Sequence, residues 1–290
     1  MSNHYLKDIG FLSNGGGKAV YGGRLDANFF NDVSAIELFD EFAKEVISAI
    51  GKTYYPVYRM ADGELHFLFG FRINWRNMPV RNIFRYVKYG LLGLPRKTSW
   101  AESYPARRRA ELRQLLSNCV FKIAQNGKLA VYWNENGLHA FTEYNRVMER
   151  SFARIAVKLC HENYVPFHFC QALLVKHARS LLHNKKVLIV SGMPENEFSA
   201  LQNNLLDFGS AHVELLKCSK TSALMADYTS YALNVMPELV LVAAGIGAAK
   251  VLADLEYLNC PILDIGSFIH LMSGTAEECH AGFFKRPFID

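Results

Sequence analysis

Asp62 and Glu64 stand one residue apart around Gly63 in the stretch VYRMADGELHFLFG, residues 57–70, with Arg59 just upstream. Residues two apart in extended chain point to the same side, so both carboxylates can aim at one point. Paired carboxylates suit a hard divalent cation. Mg2+ or Mn2+ commonly takes one or two of them and leaves its other positions to a substrate's phosphates. An ion so held would neutralise a diphosphate leaving group, and Arg59, always protonated, would add a fixed phosphate contact. His66 is a candidate base beside them. The same residues also read as a helix start, with Asp62 as N-cap and Glu64 in the first turn, and His66 then sits at the edge of a core.

These side chains need a scaffold. YYPVYRM, 54–60, reads as a strand that ends at the acids, preceded by an amphipathic helix over 34–50 with Ser34 as N-cap. A helical, basic stretch runs over 79–126 and is interrupted at GLLGLPRKTSW. LAVYWN, 129–134, reads as a strand, and helical patterns follow over about 137–161 and 168–183. The C-terminal half is more regular. KVLIVSG (186–192), AHVELLK (211–217), ELVLVAAG (238–245) and CPILDIG (260–266) read as strands, with helices expected near 195–207, 222–235 and 247–258. Alternating units of this kind, with near-continuous apolar strands, predict an α/β Rossmann-like, mostly parallel sheet flanked by helices.

Ligands of such sheets bind beyond the carboxyl ends of the strands. Three strand ends therefore stand out: SGMPENEF after 190, AAGIGAAK after 242, and DIGSFIH after 263. Gly245 and Gly247 allow close backbone approach, and Lys250 falls in the first turn of the next helix. The glycines serve steric packing of a βα turn equally well. GIGAAK also lacks the third glycine of a dinucleotide fingerprint, and Asp264, nominally its ribose-binding acid, is placed within the next strand and not cleanly at its tip.

Of the 290 residues, 50% are hydrophobic and 20% charged, as in an ordered globular protein. The expected organisation is a flexible Gly- and Asn-rich arm over 1–33 and one domain over 34–290, with a helical, basic insertion over about 72–126. The net charge of +5 conceals an asymmetry: from Arg72 to Arg113 eleven Lys and Arg face only Glu102 and Glu111. Such a belt implies an anionic partner, or else a solvated helix face. The N-terminus lacks a signal-like apolar core, and no apolar run approaches the ~20 residues of a membrane span. A cytoplasmic protein, peripheral to a membrane at most, is expected. Six cysteines with no CxxC spacing read as buried thiols and not as a zinc or redox site.

YRMADGELHFLFG resembles the RxGDGE segment of glycosyltransferases with the GT-D fold, a family built around a DxE motif on a Rossmann-like sheet. GLLGLP, 90–95, is similar to that family's GIP segment, and KVLIVSG falls where the family has a comparable strand. The stretch ELVLVAAGIGAAKVLADLEYLNCPILDIGSF, 238–268, resembles its C-terminal LxLxALGPTAxVLAxDLxxxGYxxxDIGH. The resemblance runs from about residue 54 to 270, with a gap in the variable middle. It implies metal-dependent sugar transfer from a nucleotide sugar, such as a UDP-sugar, to a glycan, lipid-linked or protein-linked acceptor. By position, Asp62 and Glu64 would take the metal role, Mn2+ or Mg2+, and Arg59 would match the family's arginine. Gly245 and Gly247 would lie in its nucleotide turn, and Asp264 and Gly266 would match its DIG. This chain departs from the pattern at Ala61 for the glycine before DGE, at GIGA for GPTA, and at Ser267 for the His after DIG, with the next histidine at His270.

An inverting transferase needs a base, and Glu64, His66 and His270 are the candidates. A non-catalytic nucleotide- or phosphate-binding module would predict UDP binding without turnover. A nucleic-acid binder would use the basic belt, which lacks a recognisable RNA- or DNA-binding motif, so no nucleic acid is expected. VLIVSG followed by MPENEF lacks the Gly-rich turn of a methyltransferase. The donor sugar, the acceptor and the stereochemical course stay open, and a homo-oligomer is compatible with the sequence.

Overall fold

The computed structural model describes residues 35–60, 64, 67–68, 84, 87–92, 108–131, 152–158, 160, 162–167, 169–219, 222–279 and 284–285. The arm expected over 1–33, Ser34, Asp62, His66 and most of the basic insertion lie outside these residues.

Helix α1 (Ala35–Ala49) buries Leu38, Phe39, Phe42 and Val46, the stripe that its apolar spacing predicts. It leads into β1 (Tyr55–Arg59). After β1 come α2 (Arg109–Asn126), β2 (Lys128–Val131), β3 (Tyr164–Pro166), α3 (Phe169–Lys176) and α4 (Ala178–Leu182). The C-terminal half runs β4 (Lys186–Ser191), α5 (Glu195–Asp207), β5 (His212–Lys217), β6 (Leu239–Ala243), α6 (Ala248–Asp254), β7 (Pro261–Asp264) and α7 (Phe268–Met272). A short antiparallel ribbon, β8 (Glu278–Cys279) with β9 (Phe284–Lys285), follows.

Strands β1 to β7 form one all-parallel sheet in the order β3-β2-β1-β7-β6-β4-β5. Every residue of β2, β6 and β7 is buried, as expected of strands covered on both faces. Helices α2 and α6 pack on each other and on β1. Two hydrogen bonds anchor them: Tyr54 Oη donates to Leu252 O at 3.0 Å, and Lys122 Nζ donates to Ala253 O at 2.9 Å. Elsewhere Phe39 and Phe42 of α1 meet Phe169 of α3, the first edge-on with ring centroids 5.1 Å apart.

The order of strands has a functional consequence. The chain lays β1, β2 and β3 toward one edge, crosses to β4 and β5 at the other, and returns through β6 to set β7 beside β1. After β1 it departs toward β2. After β7 it departs into α7, which packs against α5 in the other half. A parallel sheet opens a crevice where neighbouring strands send their connections apart, and here that point is the carboxyl end of β1 and β7.

The C-terminal elements match the sequence reading within a residue or two, except one. The helix expected over 222–235 is a series of turns. Side chains there bind backbone instead. Asp227 accepts from Thr229 N (2.9 Å) and Oγ1 (2.8 Å), and Glu214 of β5 accepts from Asn234 N and Nδ2 at 3.2 and 2.9 Å. Polar bonds of this kind, local at Asp227 and reaching from β5 at Glu214, outcompete a helix. The 168–183 helix is also broken, at His177, into α3 and α4. Of the pattern over 137–161, the described part shows a helical turn at 152–154.

Candidate functional site

Arg59 is the last residue of β1 and Asp264 the last of β7, so both sit at the crevice. Asp264 is thus at its strand's tip, a correction to its expected place inside the strand. Although 205 residues apart, the two are joined. The Arg59 backbone N–H donates to Asp264 Oδ2 at 3.3 Å, and Arg59 Nη1 donates to the carbonyl of Ile265 at 2.8 Å. The guanidinium lies over the Phe167 ring, 4.5 Å from its centroid, which fixes its plane. Both side chains are buried, Arg59 at 7% and Asp264 at 5% exposure. Burial pushes the Asp264 carboxyl up to about 6, although the Arg59 charge and the backbone N–H groups of Arg59 and Gly266 pull it back.

Gly266 closes this arrangement. Its N–H donates to Asp264 Oδ1 at 3.1 Å, and its φ of +52° is left-handed. A Cβ there would lie 2.8 Å from Arg59 Nη2. Two constraints therefore demand glycine: the turn itself and the room that the guanidinium takes.

Glu64 follows five residues after Arg59, in helical conformation and 6% exposed. Its partner in the motif, Asp62, and His66 lie outside the described residues. Among the described residues no three His, Cys, Asp or Glu form a metal-binding group. The hard carboxylate of Glu64 nonetheless fits Mg2+ or Mn2+, because an ion shared with substrate phosphates takes only one or two protein carboxylates.

The turn after β6 is engaged otherwise. Gly245 has a φ of +59° and begins a short 3-10 turn into α6. A Cβ on Gly247 would fall 2.3 Å from Ala223 Cβ and 2.8 Å from Leu224 N, so this glycine lets the 222–225 turn pack on the helix start. Lys250 Nζ pairs with Asp254 one helical turn on, and the same carboxylate accepts the Tyr228 N–H at 3.1 Å. Arg59, Asp264 and Gly266 are thus brought into direct contact, while Gly247 packs on the neighbouring turn and Lys250 pairs within its own helix.

A second cluster occupies the same rim; the sequence names its His270 as a candidate base but not Glu197, Ser273 or Thr275. Glu197, in the first turn of α5, bonds His270 Nδ1 of α7 through Oε1. The same oxygen accepts from Ser273 Oγ at 3.2 Å and Thr275 Oγ1 at 2.9 Å. Burial pushes the Glu197 carboxyl up, but the hydrogen bonds from His270, Thr275 and Ser273 outweigh it and hold the group below the ordinary carboxylate range. Beside this pair lies a cleft of about 420 Å³, lined by Ser191, Met193, Glu197, Lys217, Ser219 and His270 among others. The available signal was that SGMPENEF follows a strand end, but no motif tied Glu197 to a histidine 73 residues on.

No protein-family model matches the chain, and no curated protein matches it. Two solved structures are similar to it. One is described as showing that the highly conserved domain of unknown function 1792 has a distinct glycosyltransferase fold. It is 16% identical over 80% of this chain and 82% of its own, with a TM-score of 0.44. The other, a selenomethionine-substituted structure of that domain, is 17% identical over the same shares, with a TM-score of 0.43. Among the described residues no helix is long and apolar enough to cross a membrane.

Proposed function

We propose that this chain is a glycosyltransferase that moves a sugar from a nucleotide sugar, a UDP-sugar, to a hydroxyl-bearing acceptor. The observation that carries this reading is the Arg59–Asp264–Gly266 contact. It joins the two sequence segments of the GT-D resemblance, 205 residues apart, at the crevice where a parallel sheet binds ligands.

The chemistry needs charge stabilisation as the diphosphate departs. Arg59 is suited to it: its guanidinium is buried, held by Ile265 O and stacked on Phe167, so little reorganisation is needed when negative charge develops nearby. Asp264 holds the strand end and the Gly266 turn that leave room for that guanidinium. Asp62 and Glu64 would hold Mn2+ or Mg2+, which when bound supplies a Lewis acid for the diphosphate. The basic belt of residues 72–113 would draw an anionic, lipid-linked acceptor or the surface of an anionic membrane. Phe84, Leu91 and Leu92, each about two-thirds exposed within the belt, would add apolar contact.

Thermal-shift screening of nucleotides and nucleotide sugars, with and without Mn2+, tests the reading. A shift that needs both metal and one nucleotide supports it and identifies the donor class. A nucleotide shift indifferent to metal, with no product formed, replaces it with a non-catalytic binding module.

A further inference from the structure

The cleft at the carboxyl ends of β4 and β5 has the makings of a reaction site. Its volume, about 420 Å³, suits a small ligand. Ser191 and Lys217 are register partners at the ends of these adjacent strands, so both reach the rim at one level. Ser191 is buried, and its Oγ accepts the Met193 N–H at 3.2 Å. Lys217 and Ser219 line the wall. The first turn of α5, a 13-residue helix that begins after Pro194 without a side-chain cap, adds unsatisfied N–H groups. The wall therefore offers an anionic ligand one cation, two hydroxyls and a helix N-terminus, against one carboxylate of the lining, Glu197, whose Oε1 is already engaged by side-chain donors.

Opposite them is the His270–Glu197 pair. Nδ1 of His270 is taken by the carboxylate, so the ring nitrogen left for the cleft is Nε2. Three donors on one oxygen hold Glu197 in place, and it is an ionised acceptor at neutral pH. A carboxylate on Nδ1–H selects the neutral tautomer whose Nε2 lone pair can take a proton. Among the described residues, the charged groups facing this imidazole are Glu197 of α5, in contact, and Lys217 at the end of β5, across the cleft.

The cleft is also near the Arg59–Asp264 pair. Strand β4 lies two places from β7, roughly 10 Å at the usual strand spacing. His270 follows Gly266 by four residues and leaves the same strand end. We infer that the cleft seats the acceptor, an anionic, hydroxyl-bearing molecule, and that His270 Nε2 is the base that removes the proton of the attacking hydroxyl, with Glu197 as its positioning residue. This rests on the transfer reading above. The hydroxyl proton passes to Nε2, and the acceptor oxygen bonds the anomeric carbon. The electron pair of the breaking bond leaves with the nucleoside diphosphate, and the proton is later released to water. A single displacement of this kind inverts the anomeric centre.

Two experiments on the full chain test it. In the first, inorganic phosphate is titrated while the histidine ring nitrogens are followed by NMR. Neutral His270 is expected as the Nδ1–H tautomer, with a saturable shift that Lys217→Ala weakens at least tenfold. An Nε2–H tautomer, or a phosphate response indifferent to Lys217→Ala, overturns the site. This readout needs no turnover. In the second, with the donor that the metal-dependent screen identifies, His270→Asn lowers kcat about 100-fold with KM within about twofold. Glu197→Gln costs about tenfold and mixes the tautomers, and the product is inverted. An unchanged kcat, or a retained anomeric centre, removes the base role. Failure of the parent to use any nucleotide sugar sinks the transfer reading and the base role together, while the phosphate result still decides whether the cleft binds an anion.

Discussion

The sheet's carboxyl rim carries two buried carboxylates with basic partners, and the two behave oppositely. Asp264 has a guanidinium and two backbone N–H groups near it, yet burial wins and its carboxyl rises to about 6. Glu197 is also buried, yet it falls below the ordinary range because three side-chain donors converge on one of its oxygens. The Arg59 guanidinium acts on Asp264 through its charge and directs its Nη1 to Ile265 O, while the hydrogen bonds to the carboxylate come from the main-chain amides of Arg59 and Gly266. At Asp264 burial outweighs the Arg59 charge and the two amides together, whereas at Glu197 the side-chain donors outweigh burial. One end of the rim is thus a rigid frame that holds a cation, and the other a side-chain network that holds a base.

The largest effect separating the two regions should come from the acids of the DGE segment. Glu64→Ala or Asp62→Ala is expected to abolish sugar transfer, by at least about 1,000-fold, with the far-UV circular dichroism unchanged. Metal-independent activity retained in either variant breaks the assignment. Gly266→Ala should come next, as a defect of the frame. The left-handed φ and the encounter with Arg59 Nη2 predict a loss of about 1–3 kcal/mol, read from urea denaturation. Because the cost arises at the guanidinium, Gly266→Ala should also lower donor affinity, whereas it should leave phosphate binding in the cleft within about twofold. Equal damage at both sites would mean that the two ends form one unit.

The two ends were not equally legible in the sequence. Arg59, Asp264 and Gly266 lie in short contiguous segments at the ends of apolar strands, where a Rossmann-like reading looks for ligands. The fold was readable for the same reason: β4, β6 and β7 are largely apolar runs at regular spacing, with β5, HVELLK, the most polar of the set. Glu197 was not readable, since its partners His270, Ser273 and Thr275 arrive from α7 and the turn after it, three strands later in the chain, and no local spacing encodes that meeting. The same limit explains Gly247, whose reason for being glycine is a turn at Ala223–Leu224 that had been expected to be helix. The turn's place between two strands of an alternating pattern suggested that helix, but Asp227 and Glu214 bind the chain in turns. Local pattern gave the strands, and long-range polar bonding decided the rest.

The smallest effects are the most diagnostic, because the two carboxylates predict pH dependences of opposite sign. A carboxyl raised on folding contributes stability below its unfolded value, and that contribution is lost as pH rises through the folded value. For Asp264 the window runs from about 4 to about 6. Whatever constant offset Asp264→Asn carries, its Tm relative to the parent should therefore climb as pH is raised from 4 to 7. Glu197 is depressed, so its contribution is present at neutral pH and is lost as pH falls through its folded value, below the ordinary carboxylate range. Glu197→Gln should be less stable than the parent at pH 7, and the deficit should close on acidification. Parallel curves for the two variants would show that Arg59 compensates Asp264 as fully as His270, Ser273 and Thr275 compensate Glu197, and the distinction between frame and network would fall.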